Sequence, residues 1–382
     1  MITITVYFDN AATTRVRDGV ADIMVSTMCE DYGNPSSSHE MGRRAKAALD
    51  AARKNIAGAL GTAPEEVFFT SGGTEADNWA ICGAAEALPR GSHHMITALS
   101  EHEAVRKSAE LLEQRGWEVT YLRPGNDGRI TTESFAGALR EDTALASVML
   151  VNNETGAINP VADMTREIKR RGLKTIFHTD AVQGFMKIPF TAKALGVDLI
   201  TLSAHKIHGP KGVGALYARK GVRLKPLLRG GAQEKEKRGG TEAMPAIAGF
   251  GEAVRLASAE REATDRSVRD VREFTVKLLC EKLPDTLILS PGDSPYILSI
   301  SLPRYKSEVL MNCLEEDGIY VSKSSACKKG ARSHVLQAMG LPNAVIDGAL
   351  RVSFSRYSTP AEASYLVGAL LRATGKLGKM MR

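Results

Sequence analysis

The sequence predicts an α/β fold: a large domain with a mainly parallel seven-stranded sheet flanked by helices, plus a smaller α+β C-terminal domain. Three observations predict it. From about residue 40 to 220, short β-branched runs alternate with stretches of helical period, the pattern of strand-helix units whose crossovers make neighbouring strands parallel. Between Arg219 and Ala246 the pattern dissolves into Gly, Lys, Arg and Glu, which bury little apolar area and read as a connector. After it, a charged helix from about Ala246 to Leu283 leads into a second, shorter set of strands. The expected units are residues 1–15, a segment packing with the small domain; 16–255, the large domain; and 256–382, the small one.

The clearest helix begins near Ser37, whose spacing to Glu40 makes a capping box. It carries Ala45, Ala48, Leu49, Ala52, Ile56, Ala59 and Leu60 on one face before Gly61. Strands are expected at Val67–Thr70, Met95–Leu99, Glu118–Leu122, Ala146–Asn152, Thr175–Asp180, Leu199–Ser203 and Gly214–Ala218. The stretch from Leu88 to Met95 reads as loop. Beyond the connector come β-rich runs at Leu287–Leu289 and Tyr296–Leu302, a helix near Ser307–Asp317, and a strand-helix pair from Arg351 to Thr374.

Composition narrows the function classes. Lys and Arg number 50 against 44 Asp and Glu, for a net charge of +6, but the signs are interspersed and no basic stripe with interleaved aromatics occurs, so direct nucleic-acid binding is not expected. The five cysteines form no Cys-x-x-Cys pair and no Cys/His cluster at metal-ligand spacing. A reduced, cytoplasmic setting without a metal site fits them. Met1 to Asp9 has no secretory pattern, and the longest apolar runs, such as Ala146 to Val151, are too short to cross a bilayer.

The sharpest chemical signal is Ser203-Ala-His-Lys-Ile-His-Gly-Pro-Lys-Gly212, directly after an apolar strand. It sets Lys206 at a strand's carboxyl end, the edge where open parallel sheets bind ligands. A partly desolvated amine there can condense with an aldehyde cofactor; the plainer reading is a solvated lysine in a Gly-Pro turn. Other positions supply what pyridoxal phosphate requires. Asp180 ends a strand and can keep a pyridine nitrogen protonated, with Gln183 three residues on, within reach of the phenolic oxygen. Ser71-Gly72-Gly73-Thr74 opens a helix after a strand, so free amides converge as for a phosphate. His102 can stack on a planar ring or relay a proton. Taken singly, each of these is also an ordinary turn, cap or surface residue. Cys327 lies in Val321-Ser-Lys-Ser-Ser-Ala-Cys-Lys-Lys-Gly330, where Lys328 and Lys329 favour the thiolate.

Together these blocks resemble the cysteine desulfurases, a branch of the class V aminotransferase-like, fold-type I pyridoxal phosphate enzymes. The resemblance runs from Tyr7-Phe-Asp-Asn-Ala-Ala-Thr-Thr14 through Gly33-Asn-Pro-Ser-Ser37, Thr70 to Glu75, Glu101 to Val105, Asn152 to Gly156 and His178 to Gln183 to the Lys206 block. It continues through Arg238 to Glu242, Ser325-Ala-Cys327, Ser333 to Leu336 and Arg351-Val-Ser-Phe-Ser-Arg356. It implies that Lys206 holds the cofactor, Asp180 and Gln183 grip its ring, His102 stacks on it, and Gly73, Thr74, Ser203 and His205 cradle its phosphate. Thr241 would reach the phosphate of a neighbouring subunit in a homodimer. Asn34, Asn153 and Arg356 would hold L-cysteine, Arg356 by a fork on its carboxylate. Cys327 would take the sulfur as a persulfide and pass it to an acceptor or scaffold protein, as in iron-sulfur cluster assembly, leaving L-alanine. A selenocysteine lyase, or another class V enzyme on a related amino acid, is the alternative on the same fold. The chain departs from the family pattern at Ala232, Ala243, Ser324 and Ser355, and in a shortened stretch between Cys327 and Ser333.

Overall fold

The computed structural model describes residues 5–89, 91, 93–323 and 332–380. Cys327 and Ser324 therefore lie outside the described residues. In chain order the strands are β1 (Val6–Tyr7), β2 (Val67–Thr70), β3 (His94–Ala98), β4 (Glu118–Leu122), β5 (Thr143–Ser147), β6 (Ile176–Asp180), β7 (Leu199–Ser203), β8 (Gly214–Ala218), β9 (Leu287–Ile288), β10 (Ile297–Ser301), β11 (Ile319–Tyr320), β12 (Ser322–Lys323) and β13 (Ala349–Ser353).

The large sheet has seven strands in the order β2-β8-β7-β6-β5-β3-β4, all parallel except β8, which runs antiparallel to β2 and β7 on either side. Helices Glu103–Gln114, Thr132–Ala138 and Val161–Arg170 make three of the crossovers between parallel strands. β7 and β8 are instead joined by a short turn, the one that carries Lys206. Because β2 shares the direction of β7, the carboxyl ends of β2, β3, β5, β6 and β7 open on one edge. β2, β3, β6, β7 and β8 are buried at nearly every position, as expected of a sheet covered on both faces.

Most sequence expectations match to within a residue or two, and the exceptions have identifiable causes. The helix Glu40–Leu60 buries Ala45, Leu49, Ala52, Ile56 and Leu60, and ends on Gly61 at φ 66°. Its cap is the His39 ring, whose Nδ1 accepts from the Gly42 amide at 3.3 Å, and not Ser37. Ser37 instead turns back on Asn34, its amide donating to the Asn34 carbonyl at 2.9 Å. β5 ends at Ser147, although the apolar run continues to Val151. Those later residues are buried because the chain turns through the core, and burial alone cannot mark where a ladder stops. The stretch expected as loop after Leu88 supplies the first residue of β3: His94 is fully buried, its ring bonded to Thr143 and Thr120 hydroxyls at 2.8 Å.

After the connector, one helix runs from Met244 to Lys282 and touches both halves. Its first part, with Ile247, Phe250 and Val254, closes the core of the large sheet; its later part, with Val268, Val271 and Leu279, joins the second core. That second core gathers β10 and β13 with helix Pro360–Met380, and it also takes in Val6, Phe8 and Ala11 from the amino end. β1 pairs in parallel with β11, and Asp9 bridges to Ser353. The amino-terminal segment thus crosses from the second core to the edge of the large sheet, bringing Ala11 and Ala12 over Lys206. No helix among the described residues is long and apolar enough to cross a membrane.

Candidate active site

At the carboxyl edge of the large sheet lies a cleft of about 300 Å³. It is lined by Gly73 and Thr74 after β2, His102 after β3, Asn153 and Glu154 after β5, Asp180 and Gln183 after β6, Ser203, His205 and Lys206 after β7, and Arg351 from β13. Nine of those residues are named from the sequence, Gly73, Thr74, His102, Asp180, Gln183, Ser203, His205 and Lys206 for a cofactor and Asn153 for the substrate. They come from five separate strand ends, and the parallel sheet is what brings them together.

Lys206 Nζ donates to the carbonyls of Ala11 and Ala12 at 2.7 and 2.6 Å, so the amino-terminal segment holds the amine at the cleft wall. Asp180 is buried, and its Oδ1 accepts the Val182 amide at 2.8 Å. Burial pushes its pKa up, while His102 and Lys206 pull it down. Gln183 Nε2 donates to the same Ala11 carbonyl at 2.8 Å. His102 caps helix Glu103–Gln114, its Nδ1 accepting the Ala104 amide at 3.2 Å, which fixes the ring at the mouth of the cleft. The His205 ring meets Thr13 Oγ1 at 3.2 Å; burial first, and then Lys206, push its pKa to about 4, so it is neutral at neutral pH.

Beneath the cleft lies a buried polar layer that motif reading did not single out. Asp77 is 1% exposed, and its Oδ1 has no hydrogen-bond partner among the described residues. That oxygen sits 3.6 Å from His178 Nε2. The His178 ring is bonded to Ser147 Oγ at 2.8 Å and Thr201 Oγ1 at 3.0 Å, and burial holds it neutral, with its pKa near 3. Ligating atoms of Asp77, His102 and Asp180 lie within 4.8 Å of one another. Burial and the neighbouring Asp180 charge raise the pKa of Asp77 well above the carboxylate range.

Two residues expected at the site, Arg356 and Asn34, do not line this cleft, and Thr241, expected to reach a neighbouring subunit, lies away from its own cleft as well. Arg356 follows the end of β13 and lies in a second cavity, ion-paired with Glu260, which also takes Arg17 at 2.9 Å. The guanidinium that does reach the cleft is Arg351, five residues earlier and inside the strand. It is 2% exposed, donating to the Asn153 carbonyl at 3.0 Å and to Asp9 Oδ1 at 2.9 Å, with Nε unpartnered among the described residues. The sequence does carry a signal for it, because an arginine in the middle of an otherwise apolar strand is rarely buried without a task. Asn34 and Thr241 are exposed and do not line the cleft. Glu154, also missed, is buried with Oε2 accepting from Ser333 Oγ. Burial raises its pKa to about 7, against the pull of Ser333 and Arg351.

Comparison with known proteins shows the family. Residues 6–366 match the family model of the aminotransferase class-V proteins. A cysteine desulfurase IscS of Methanosarcina thermophila is 41% identical over 98% of this chain and 93% of its own length. A cysteine desulfurase of Nostoc sp. is 40% identical over 95% of this chain and 91% of its own. Among solved structures, a NifS-like protein superposes with a TM-score of 0.92 at 39% identity, over 97% of this chain and all of its own. SspA in complex with cysteine does so at 0.80 and 33%, over 93% of this chain and all of its own.

Proposed function

Because the chain belongs to the class-V aminotransferase family and, within it, to the cysteine desulfurases, we propose that its cleft binds pyridoxal phosphate on Lys206 and converts L-cysteine to L-alanine, passing the sulfur to Cys327. One observation carries the reading: an amine, a buried acid, an imidazole and a helix amino end converge on a single cleft of about 300 Å³. The residues fit the group. Asp180 is a carboxyl whose burial raises its pKa, and a pyridinium nitrogen would add a cationic partner beside His102 and Lys206. A Cβ on Gly73 would press on a Val182 methyl at 3.1 Å, so a glycine here spares that crowding at the corner where the helix amides are offered to a phosphate.

When bound, the cofactor supplies an electron sink for the pair left on the substrate's Cα. Lys206 would be its covalent anchor, Asp180 would keep its ring nitrogen protonated, and Gln183 and His102 would hold its ring. Gly73, Thr74, Ser203 and the neutral His205 would receive the phosphate through amide, hydroxyl and imidazole groups. For the substrate, Arg351 takes the carboxylate, its unpartnered Nε and its burial supporting that role over Arg356, and Asn153 stands beside it. Lys206 Nζ then removes the Cα proton. The Cys327 thiolate attacks the substrate sulfur; the carbon-sulfur bond breaks, a persulfide remains on Cys327, and the carbon skeleton leaves as alanine.

The reading extends to a homodimer. Thr241 and Asn34, exposed and away from their own cleft, are suited to reach a neighbouring protomer. Delivery of sulfur to an acceptor or scaffold protein belongs to it as well. A cytoplasmic setting is supported by Cys29, Cys82, Cys280 and Cys313, all of them free thiols. Incubation of the purified protein with cysteine and a reductant should release alanine and sulfide in equal amounts. Alanine formed from selenocysteine but not from cysteine would overturn the choice of substrate.

A further inference from the structure

The segment after β6 carries a second buried lysine. Residues 181–188 coil, with the Phe185 amide bonded to the Ala181 carbonyl at 2.7 Å and the Ile188 amide to the Gly184 carbonyl at 3.0 Å, which sets positions 183 and 187 about one turn apart. Met186, at φ 59°, takes the left-handed region just before Lys187. Gln183 is 4% exposed and lines the cleft; Lys187 is 8% exposed and lines the second cavity, which shares Lys206 with the cleft.

Lys187 Nζ donates to Gln183 Oε1 at 2.9 Å, and the Tyr296 ring centroid stands 5.8 Å from it. Burial first, and then Lys206 and Arg351, bring that amine down to about 7, yet it donates an N–H with or without its extra proton. At the other end of the amide, Gln183 Nε2 donates to the Ala11 carbonyl at 2.8 Å. The two contacts agree on one orientation. A carbonyl can only accept, so the amide nitrogen must face Ala11; reversing the amide would set oxygen against oxygen there and nitrogen against nitrogen at Lys187.

An amide nitrogen has two N–H groups. Ala11 takes one, and the other has no partner among the described residues, in a side chain that lines the cleft. We propose that Lys187 is a positioning residue: by holding Gln183 Oε1 it fixes the amide so that the unspent N–H is presented to the phenolic oxygen of pyridoxal phosphate. Without the lysine, Oε1 would be a buried acceptor short of its donor, and the amide would be held at one end only. The proposal rests on the reading that Gln183 meets that oxygen in a cofactor anchored on Lys206.

The test is the absorption spectrum of the holoenzyme. A donor on the phenolic oxygen favours the form with the negative charge on that oxygen and the proton on the linkage nitrogen, which absorbs in the visible. With the donor gone, the form that carries the proton on oxygen and absorbs in the near ultraviolet gains. Lys187→Met should therefore lower the ratio of the visible to the near-ultraviolet band about fivefold, the worth of one hydrogen bond. Lys187→Leu repeats the removal should the methionine variant fail to fold, and Lys187→Gln, which keeps an N–H donor, should return the ratio toward wild type. In a Gln183→Leu background, Lys187→Met should change the ratio no further. A merely structural lysine would lower the melting temperature and leave the ratio unmoved, and a lysine acting past the amide would move it equally in both backgrounds; either result overturns the proposal. A wild-type ratio in Gln183→Leu would instead overturn the reading that Gln183 meets the oxygen, and a wild-type holoenzyme with no visible band would overturn the place of the cofactor on Lys206, each taking the proposal with it.

Discussion

Arg351 and Arg356 illustrate what five residues of separation decide. Both fall in the same block of sequence, and both are arginines able to fork a carboxylate. Arg351 lies inside β13, where alternation turns it toward the cleft; Arg356 lies beyond the strand, where nothing in the alternation governs its direction. Sequence reading weighs the motif, and the pleat of the strand decides between its two arginines. Arg351→Gln is expected to raise the KM for cysteine by about tenfold or more, the equivalent of about 1.4 kcal/mol of binding, while Arg356→Gln leaves it near wild type. Steady-state kinetics on both variants check this.

Glu154 gives a second prediction at the same scale. Its pKa rises on folding from the ordinary 4.5 to about 7. A carboxyl raised in this way is protonated in the folded protein between those values while already ionised in the unfolded chain. Its burial therefore carries no penalty below about 4.5, and the penalty accumulates as pH rises to about 7. Glu154→Gln removes the titration. Relative to wild type, the variant should gain about 3 kcal/mol between pH ~5 and pH ~8, read from urea midpoints at each pH. Sequence gave no hint of this acid's state, because a pKa depends on what covers the group.

Among the elements, the helix Glu40–Leu60 was legible because its period, its length and its terminal glycine all agree. Ile56 is fully buried on its inner face, and Ile56→Ala should cost about 2–5 kcal/mol in a urea melt. At its carboxyl end Gly61 holds φ 66° and a Cβ would meet Thr191 at 3.3 Å, so Gly61→Ala should also destabilise, by about 1 kcal/mol. The helix's start was less legible: Ser37 and His39 can each cap, and only the path of the preceding Asn34 turn selects the histidine. β5 shows the converse limit. Its apolar run outlasts its ladder, since a fully buried segment looks the same to composition whether or not it pairs.

For the whole molecule, the sheet's direction does most of the positioning. Five parallel strand ends, each marked by a short polar motif, become one site only because crossover helices return every strand to the same edge. That much followed from the alternating pattern. The route of the amino-terminal segment did not: its pairing of β1 with β11 and its delivery of Ala11 and Ala12 to Lys206 depend on contacts more than 190 residues away. Holding the cofactor and accepting the sulfur use different residues, so Cys327→Ala should keep pyridoxal phosphate bound yet form no persulfide, as a thiol-alkylation mass shift would reveal. The most direct measurement is borohydride reduction of the pyridoxal phosphate-loaded protein followed by peptide mass spectrometry. A pyridoxyl group fixed on Lys206, and none in Lys206→Ala, is the predicted result; a protein that stays unlabelled, or carries the label on another lysine, would contradict the account.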